Sequence, residues 1–359
     1  MDTVGHLIEI FTRLGAFLSQ FPDGARDDSV ELAALNEQHY GSFGEALEKE
    51  HLYNPWFTPD HVKRALSGIA RMLEEKTLRR WLEPYELAPG DTGEGKTVGL
   101  VLAGNIPLAG FHDIMSVLVA GHRVLAKASS KDERLVKQVA GVIRAIDPGL
   151  GERIRFTGDR LTGMDAVIAT GSDNSARYFD YYFRNTPHII RKNRNGVAVL
   201  TGKETEKELS GLAEDIFTYF GLGCRNVTKL FVPADLDLKL LMGVFDRYSH
   251  LAQHHKYASN VDYYRTIYLM NREDFLDNGV LLLKEDTAIA SPVGVVFYER
   301  YVEIGTLVKK LEANREAIQC IVTLHPAFPN GIPSGSTQDP MPWDYADGVD
   351  TVRFLTELR

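Results

Sequence analysis

The sequence is poor in cysteine, and this scarcity excludes one class of protein. Its 359 residues include two cysteines, Cys224 and Cys320, so no framework of disulfides can hold the fold. His254 and His255 are adjacent and no Cys/His cluster has metal-ligand spacing, so no metal site is expected. A chain of this length can bury a large core without such crosslinks. Its low cysteine content is that expected of a protein in a reducing compartment.

An excess of positive charge and a long apolar run are also lacking. The net charge of −9 argues against a nucleic-acid partner, which requires a basic surface. The most apolar long stretch, residues 97–121, is interrupted by Asn105, Pro107, His112 and Asp113, which are costly in lipid. The first residues lack the basic start and unbroken apolar core of a signal peptide. We therefore expect a cytoplasmic protein with no membrane span.

Neither a G-x-G-x-x-G fingerprint nor a P-loop is present, yet the pattern is that of a nucleotide-binding fold. Residues 1–96 have helical spacing, with a helix starting at Thr58-Pro59, and end in a polar turn at 91–96. From residue 97, short apolar runs alternate with helices, which predicts parallel βαβ units. The predicted strands lie at 97–103, 123–127, 153–156 and 166–170, with helices at 110–120 and 132–146.

A second alternating block begins near residue 197. It predicts a strand at 196–200, an amphipathic helix at 205–220, and further strands at 229–233, 266–270, 294–298 and 320–324. Residues 326–343 are rich in Pro, Gly and Ser and predict an extended connection to a terminal strand at 349–358. The fold class expected from these patterns is α/β with a doubly wound domain.

Cys224 stands in the most distinctive segment, F-G-L-G-C-R-N-V-T-K-L-F-V-P at 220–233. A helix ends at a glycine, and the cysteine follows just before a strand, so the backbone can present the thiol to a cleft. A thiolate there can attack an acyl carbon, and nearby backbone N–H groups can hold the oxyanion. The simpler alternative is a buried structural cysteine. Cys320 lies in an apolar strand and is expected to pack in the core.

Three loops follow predicted strands, at the edge where doubly wound sheets bind ligands. The first carries Asn105, whose amide can donate to an oxyanion, although a turn-forming role is the simpler alternative. The second carries Lys127, Ser129, Ser130 and Lys131, which suit a phosphate or are solvated charges. The third, Thr170, Gly171 and Ser172, can receive a pyrophosphate or cap a helix.

Taken in this order, these four sites resemble those of the aldehyde dehydrogenase superfamily, over roughly residues 97–359. Within it the chain resembles the acyl-CoA reductase family, the long-chain fatty acyl reductases of LuxC type. The resemblance implies Cys224 as nucleophile and Asn105 in the oxyanion hole. It also implies cofactor contacts at a set of loop residues: Lys127, Ser129, Thr170, Gly171 and Ser172. The expected fold is aldehyde dehydrogenase-like, with a doubly wound cofactor domain, an α/β catalytic domain and a helical N-terminal segment.

The helical pattern of the first residues and this resemblance together divide the chain into four parts. Residues 1–96 form the helical segment that packs on the cofactor domain, and residues 97–196 form the nicotinamide cofactor-binding domain. The catalytic domain with the nucleophilic cysteine spans 197–330, and 331–359 form a C-terminal arm. An arm of this kind pairs with a neighbouring subunit in the family, so a homo-oligomer or a complex with an acyl-activating enzyme is expected.

Two departures from the superfamily pattern direct the functional prediction. Hydrolytic members carry a glutamate where this chain has I-I-R-K-N-R-N-G-V-A-V-L at 189–200; without that base a thioester on Cys224 resists hydrolysis. The loop after Lys127 has serines and a lysine where NAD-linked relatives have an acid, which favours NADPH, with NADH as the alternative. We therefore expect an NAD(P)H-dependent reductase that converts an acyl-CoA, or another acyl-carrier thioester, to an aldehyde.

Three alternatives remain open at the level of sequence. The chain could be an aldehyde dehydrogenase that releases free acids, or a non-catalytic cofactor-binding scaffold of the same fold. It could also reduce acyl phosphates, if Arg191, Lys192 and Arg194 form an anion-binding patch. The tyrosine-rich stretches at 180–183 and 262–265 could line an acyl tunnel, although ordinary packing is the simpler reading.

Overall fold

The computed structural model of the chain describes residues 3–87 and 95–358. Residues 91–94 of the predicted polar turn lie outside the described part. The fold divides into two compact units, one formed by Met1–Lys192 with Pro340–Arg359 and the other by Asn193–Asp339. No helix within the described ranges is both long and apolar enough to cross a membrane.

The first unit begins with a layer of helices, as predicted. Thr58 caps α4 by accepting a hydrogen bond from the His61 N–H (3.3 Å), with Pro59 in the first turn. Helix α4 packs on α1, and both contribute to a core that continues under the sheet of this unit. The helices of this layer are α1 (Thr3–Asp23), α2 (Val30–Leu35), α3 (Gly41–Tyr53), α4 (Pro59–Met72) and α5 (Glu75–Leu82).

A parallel sheet follows, with strand order β3-β2-β1-β4-β5. Its strands are short and apolar because both faces are covered, as the alternating pattern predicted. The strands are β1 (Thr97–Val101), β2 (Arg123–Lys127), β3 (Ile154–Phe156), β4 (Ala166–Thr170) and β5 (His188–Arg191). The helices between them are α6 (Phe111–Val119), α7 (Glu133–Ile146), α8 (Pro148–Glu152) and α9 (Asp173–Phe183).

The second unit is built on a mixed sheet of strand order β11-β6-β7-β10-β9-β8, parallel except for the β8–β9 pair. Its strands are β6 (Asn195–Val199), β7 (Val227–Pro233), β8 (Phe275–Asp277), β9 (Leu282–Glu285), β10 (Val295–Tyr301) and β11 (Ile318–Val322). Its helices are α10 (Glu206–Phe217), α11 (Leu238–Phe245), α12 (His255–Asn271) and α13 (Ile304–Ala313). A capping box at Thr205 and Glu208 fixes the start of α10.

The predicted strand at 266–270 is wrong, because these residues continue α12. His254 caps that helix by accepting from the Tyr257 N–H (3.3 Å). Tyr257, Val261 and Tyr268 recur on one face of α12 and are buried. This spacing of four and seven residues is helical and outweighs the strand preference of the β-branched and aromatic residues in the segment.

The predicted terminal strand at 349–358 is also wrong, since the segment forms helix α14 (Thr351–Thr356) in the first unit. Asp350 caps this helix by accepting from the Arg353 N–H (2.9 Å). Val352 and Leu355 share one face and are fully buried in the core of that unit. A capped start and an apolar pair at i,i+3 spacing favour a helix here.

Candidate active site

The segment before Cys224 is a left-handed turn. Helix α10 ends at Phe217, and Tyr219, Phe220 and Gly221 then have φ values of +55°, +55° and +73°. This conformation costs a non-glycine residue about 1–2 kcal/mol. The side chains of Tyr219 and Phe220 are buried, and His254 stacks on Phe220 with 4.3 Å between the rings. Such strain is retained where surrounding contacts dictate the conformation, as at many functional sites.

Asn226 anchors the turn from the other side. Its side chain is fully buried, and its Oδ1 accepts from the Gly223 N–H at 2.7 Å. Its Nδ2 donates to the carbonyl of Asp215 at 2.8 Å and to that of Thr218 at 2.9 Å. One amide therefore joins the end of α10 to the residue preceding Cys224. Asn226 was not predicted as a site residue, although its place two residues after the cysteine was a signal.

The two cysteines have different surroundings, and neither forms a disulfide. Cys224 lies in the turn and is exposed. Cys320 is half-buried in β11, where its Sγ donates to the Arg225 carbonyl oxygen at 3.7 Å. Burial raises the pKa of the Cys320 thiol to about 12, so this sulfur stays protonated at neutral pH. Of the two thiols, Cys224 is the more exposed.

Hydrogen bonds hold segment 335–337 beside the cysteine turn. The buried Asp215 carboxylate accepts from the N–H groups of Gly335 (2.7 Å) and Thr337 (3.0 Å) and from the Thr337 hydroxyl (2.8 Å). Arg225, the neighbour of Cys224, donates from Nε to the Thr337 carbonyl at 2.8 Å. Burial raises the pKa of Asp215 to about 6 against these hydrogen bonds. Asp215 and Thr337 are site residues that the sequence analysis did not identify.

Two residues of strand β7, Thr228 and Lys229, hold segment 286–289 in place. The Thr228 hydroxyl donates to the Ile289 carbonyl at 3.0 Å, and Lys229 donates to the Asp286 carbonyl. The Lys229 side chain is fully buried and pairs with Glu299 at 3.3 Å. Burial lowers the pKa of Lys229, and the Glu299 charge opposes this. Lys229 thus organises the second unit and does not face solvent.

The predicted cofactor residues lie at one edge of the sheet in the first unit. Because β1 pairs with both β2 and β4, the loops that follow these strands leave the sheet side by side. Asn105, Lys127 and Ser172 are exposed there. Ser172 caps α9, accepting from the Ser175 N–H at 3.4 Å. The structure thus brings together, within this unit, the loops that carry Asn105, Lys127, Ser129 and Thr170-Gly171-Ser172.

This edge fits a nicotinamide dinucleotide. It combines a topological switch point between β1 and β4 with an exposed lysine and a helix N-terminus, which are the partners of a pyrophosphate. The loop after Lys127 offers the exposed Ser130 and Lys131. Asp132, the first acidic residue of that loop, is buried and therefore does not present a carboxylate to a ribose hydroxyl.

Arg191 is not part of an exposed basic patch. Arg191 is buried and donates to both carboxylate oxygens of Asp113 at 2.7 Å and to the Thr351 hydroxyl at 2.9 Å. Arg194 donates to the Arg315 carbonyl at 3.4 Å. The Arg191 charge is therefore neutralised inside the first unit, and this residue cannot contribute to the predicted anion-binding patch.

The tyrosine-rich stretches are part of exposed helix surfaces. Tyr181 and Tyr182 of α9 and Tyr263 of α12 are each more than half exposed. They neither fill a core nor enclose a tunnel within their own units.

Comparison with known proteins relates the fold to the aldehyde dehydrogenases. Aldehyde dehydrogenase 21 from Physcomitrella patens, solved in complex with the reaction product succinate, has a TM-score of 0.64 at 12% identity, covering 99% of this chain and 86% of that chain. An NAD-dependent aldehyde dehydrogenase from Sinorhizobium meliloti has a TM-score of 0.61 at 13% identity, covering 86% and 68%. An NAD+ complex of the Bacillus cereus enzyme has a TM-score of 0.59 at 12% identity, covering 86% and 69%.

At these identities the likeness establishes the fold alone. It confirms the predicted aldehyde dehydrogenase-like α/β class with a helical N-terminal segment. No family model matches the sequence, and no curated protein matches it. The predicted residue borders of the four segments and the roles of the site residues stay predictions.

Proposed function

We propose that this chain, folded like an aldehyde dehydrogenase, reduces an acyl-CoA or another acyl thioester to an aldehyde through an acyl group on Cys224. The observation that carries the proposal is an exposed thiol on a strained and anchored turn. No carboxylate lies in residues 189–200, where hydrolytic relatives carry their base. Without a base to activate water, an acyl group on the thiol favours reduction by hydride over hydrolysis.

In the first half-reaction the Cys224 thiolate forms a bond to the acyl carbon. The oxyanion of the tetrahedral adduct is stabilised by the Asn105 amide and by backbone N–H groups of the cysteine turn, a contact worth about 3 kcal/mol in related enzymes. The C–S bond to the carrier then breaks, and the carrier leaves as a thiol after taking up a proton. The product is an acyl-enzyme on Cys224.

In the second half-reaction the acyl carbon is reduced while it stays on the sulfur. A bound nicotinamide cofactor would supply the hydride for this reduction. The resulting thiohemiacetal releases its C–S bonding electrons to Cys224, which frees the aldehyde and regenerates the thiol. Lys127, Ser129 and the 170–172 loop are proposed to hold the cofactor. Ser130 and Lys131 are exposed and the adjacent Asp132 is buried. This loop therefore favours a 2′-phosphate, and hence NADPH.

Product analysis tests this function. Purified protein is given acyl-CoA substrates of several chain lengths with NADPH or NADH, and aldehyde, free acid and free coenzyme A are quantified. We expect aldehyde and coenzyme A in equal amounts, with none from Cys224→Ala and normal amounts from the matched control Cys320→Ala. Free acid as the main product would make the chain a hydrolytic aldehyde dehydrogenase. Undiminished aldehyde from Cys224→Ala would exclude covalent catalysis.

A further inference from the structure

The end of helix α3 lies against the loop that follows β2, within the first unit. Asn54, which directly follows α3, is buried, and its Nδ2 donates to the Lys131 carbonyl at 3.2 Å. Its Oδ1 accepts from the Trp56 N–H at 3.2 Å. The Ser129 hydroxyl accepts from the Lys131 N–H at 3.3 Å. Hydrogen bonds to both backbone groups of Lys131 therefore fix the residue whose side chain is exposed in this loop.

Arg134 lies in the first turn of α7, three residues after Lys131, and contacts the same end of α3. Its guanidinium carbon lies 3.8 Å from the centre of the Tyr53 ring, which is a stacking distance. Its Nε donates to the Glu50 carboxylate at 3.3 Å. The Glu50 side chain is buried, whereas the Arg134 side chain is 45% exposed. The contacts with α3 thus fix the guanidinium and still leave surface for a ligand.

We call the exposed side chains of Tyr53, Lys131 and Arg134 the α3–α7 corner. Tyr53 is 62% exposed, although its ring carries the stacked guanidinium. Of the two acidic residues between the cations, Asp132 is buried and Glu133 forms its own ion pair along α7. Glu50 balances one of the two positive charges, so the corner keeps an excess of positive charge beside an aromatic ring. This composition suits a phosphate carried by a nucleoside.

The position of the corner in the sheet indicates which phosphate it suits. The loop after the second strand of a doubly wound cofactor domain recognises the ribose at the adenosine end of a dinucleotide. A carboxylate there binds a free ribose hydroxyl, whereas a nearby arginine accommodates a phosphate in its place. The planar N–H groups of a guanidinium bind phosphate oxygens in pairs while its face stays stacked.

We propose, on the basis of the proposed function, that the α3–α7 corner binds the phosphate monoester on the ribose of an adenosine cofactor. Arg134 and Lys131 bind the phosphate oxygens. Tyr53 and Glu50 hold the Arg134 guanidinium, and Asn54 holds the Lys131 backbone, so the helical N-terminal layer takes part in cofactor selection. NADPH carries such a phosphate at the 2′ position of its adenosine, and coenzyme A carries one at the 3′ position.

Calorimetric titration of the full chain with matched ligands tests the proposal without any reaction. NADPH is compared with NADH, and coenzyme A with 3′-dephospho-coenzyme A. Arg134→Met removes the guanidinium and keeps an unbranched side chain, and Arg144→Met makes the same change at an exposed arginine in the last turn of α7. We expect Arg134→Met to weaken binding of a phosphorylated ligand about ten- to hundredfold. Its unphosphorylated counterpart, and every ligand of Arg144→Met, should stay within about twofold of wild type.

The two ligand pairs identify the source of the phosphate. A selective loss for NADPH assigns the corner to the 2′-phosphate of the reductant. A selective loss for coenzyme A assigns it to the acyl carrier, and either result supports the proposal. A wild-type protein with no preference for the phosphorylated ligand in either pair would overturn it.

Further variants separate ligand binding from damage to the fold. Arg134→Met leaves the buried Glu50 carboxylate without its partner, which destabilises a protein. The double variant Glu50→Gln with Arg134→Met removes both charges and should show the same selective loss with a smaller change in melting temperature. Tyr53→Phe keeps the ring under the guanidinium and should bind like wild type. Tyr53→Ala should weaken binding of the phosphorylated ligand about two- to fivefold.

Equal losses for a phosphorylated ligand and its counterpart would reduce the Arg134 contacts to a structural link between α3 and α7 and would overturn the proposal. Unchanged affinities in a folded Arg134→Met, or in the folded double variant, would overturn it as well. The result is separable from the proposed function, because binding needs no reaction at Cys224. If the corner selects its ligand as expected and Cys224 accepts no acyl group, the proposed function fails and the corner stands.

Discussion

Removal of the Asn226 amide should loosen the turn that presents Cys224. Asn226→Ala deletes hydrogen bonds of 2.7, 2.8 and 2.9 Å at a fully buried site. It leaves the Gly223 N–H and two carbonyl groups without their partner, at about 1–3 kcal/mol for a buried unsatisfied group. Allowing for partial relaxation of the turn, we expect a loss of about 2–4 kcal/mol in unfolding free energy.

The same variant should lower the reactivity of Cys224. The left-handed residues Tyr219 and Phe220 precede the cysteine, and release of the turn lets them relax to ordinary conformations. The thiol would then occupy its reactive position for a smaller fraction of the time, and acylation should slow about tenfold or more. Urea unfolding gives the stability, and the rate of acyl-CoA labelling at Cys224 gives the reactivity.

Two further variants sharpen this test. Asn226→Asp should be worse than Asn226→Ala, because a buried carboxylate would face the carbonyl oxygens of Asp215 and Thr218. The control Asn260→Ala removes one exposed hydrogen bond, to the Lys256 carbonyl, and should cost less than about 0.5 kcal/mol. The reasoning is refuted if Asn226→Ala matches Asn260→Ala in both stability and labelling rate.

Further predictions concern pH, a buried ion pair and the cofactor. Asp215 has a folded pKa of about 6 against an ordinary 3.8, so the folded state binds its proton more tightly. Its contribution to stability should fall as pH rises from about 4 to about 6 and then level off, a step that Asp215→Asn should lack in urea unfolding at several pH values. Arg191→Met leaves the buried Asp113 carboxylate unpaired and should cost about 3–5 kcal/mol in urea unfolding. A loss under about 1 kcal/mol, typical of an exposed ion pair, would contradict the pairing. Lys127→Ala should weaken NADPH binding about tenfold in fluorescence titration without a change in melting temperature. Lys131→Ala should weaken binding of NADPH more than that of NADH, and equal effects would remove the basis for a 2′-phosphate preference.

The alternation of apolar runs and helices was sufficient to predict most of the architecture. The runs at 123–127 and 166–170 are strands because parallel sheets are covered on both faces and leave few polar positions. The failures, at 266–270 and 349–358, are segments in which local residue preference favours a strand. There the helix is set by capping residues, His254 and Asp350, and by burial of one helical face.

The residues proposed to carry the chemistry could be selected from the sequence, but the residues that hold them in place could not. Cys224 and Asn105 stand out because each directly follows a glycine between two predicted elements. Asp215 contacts Thr337 across 122 positions of sequence, and Arg225 donates to the Thr337 carbonyl across 112 positions. Such partners become apparent only when the fold brings distant segments together.

Intact-mass measurement of the protein after exposure to acyl-CoA without reductant tests the central claim most directly. We predict the addition of one acyl group, mapped by peptide fragmentation to Cys224, that persists in buffer. Addition of NADPH should then remove it with release of an equal amount of aldehyde. An unmodified Cys224, or an adduct that is lost to free acid before any cofactor is added, would contradict the account.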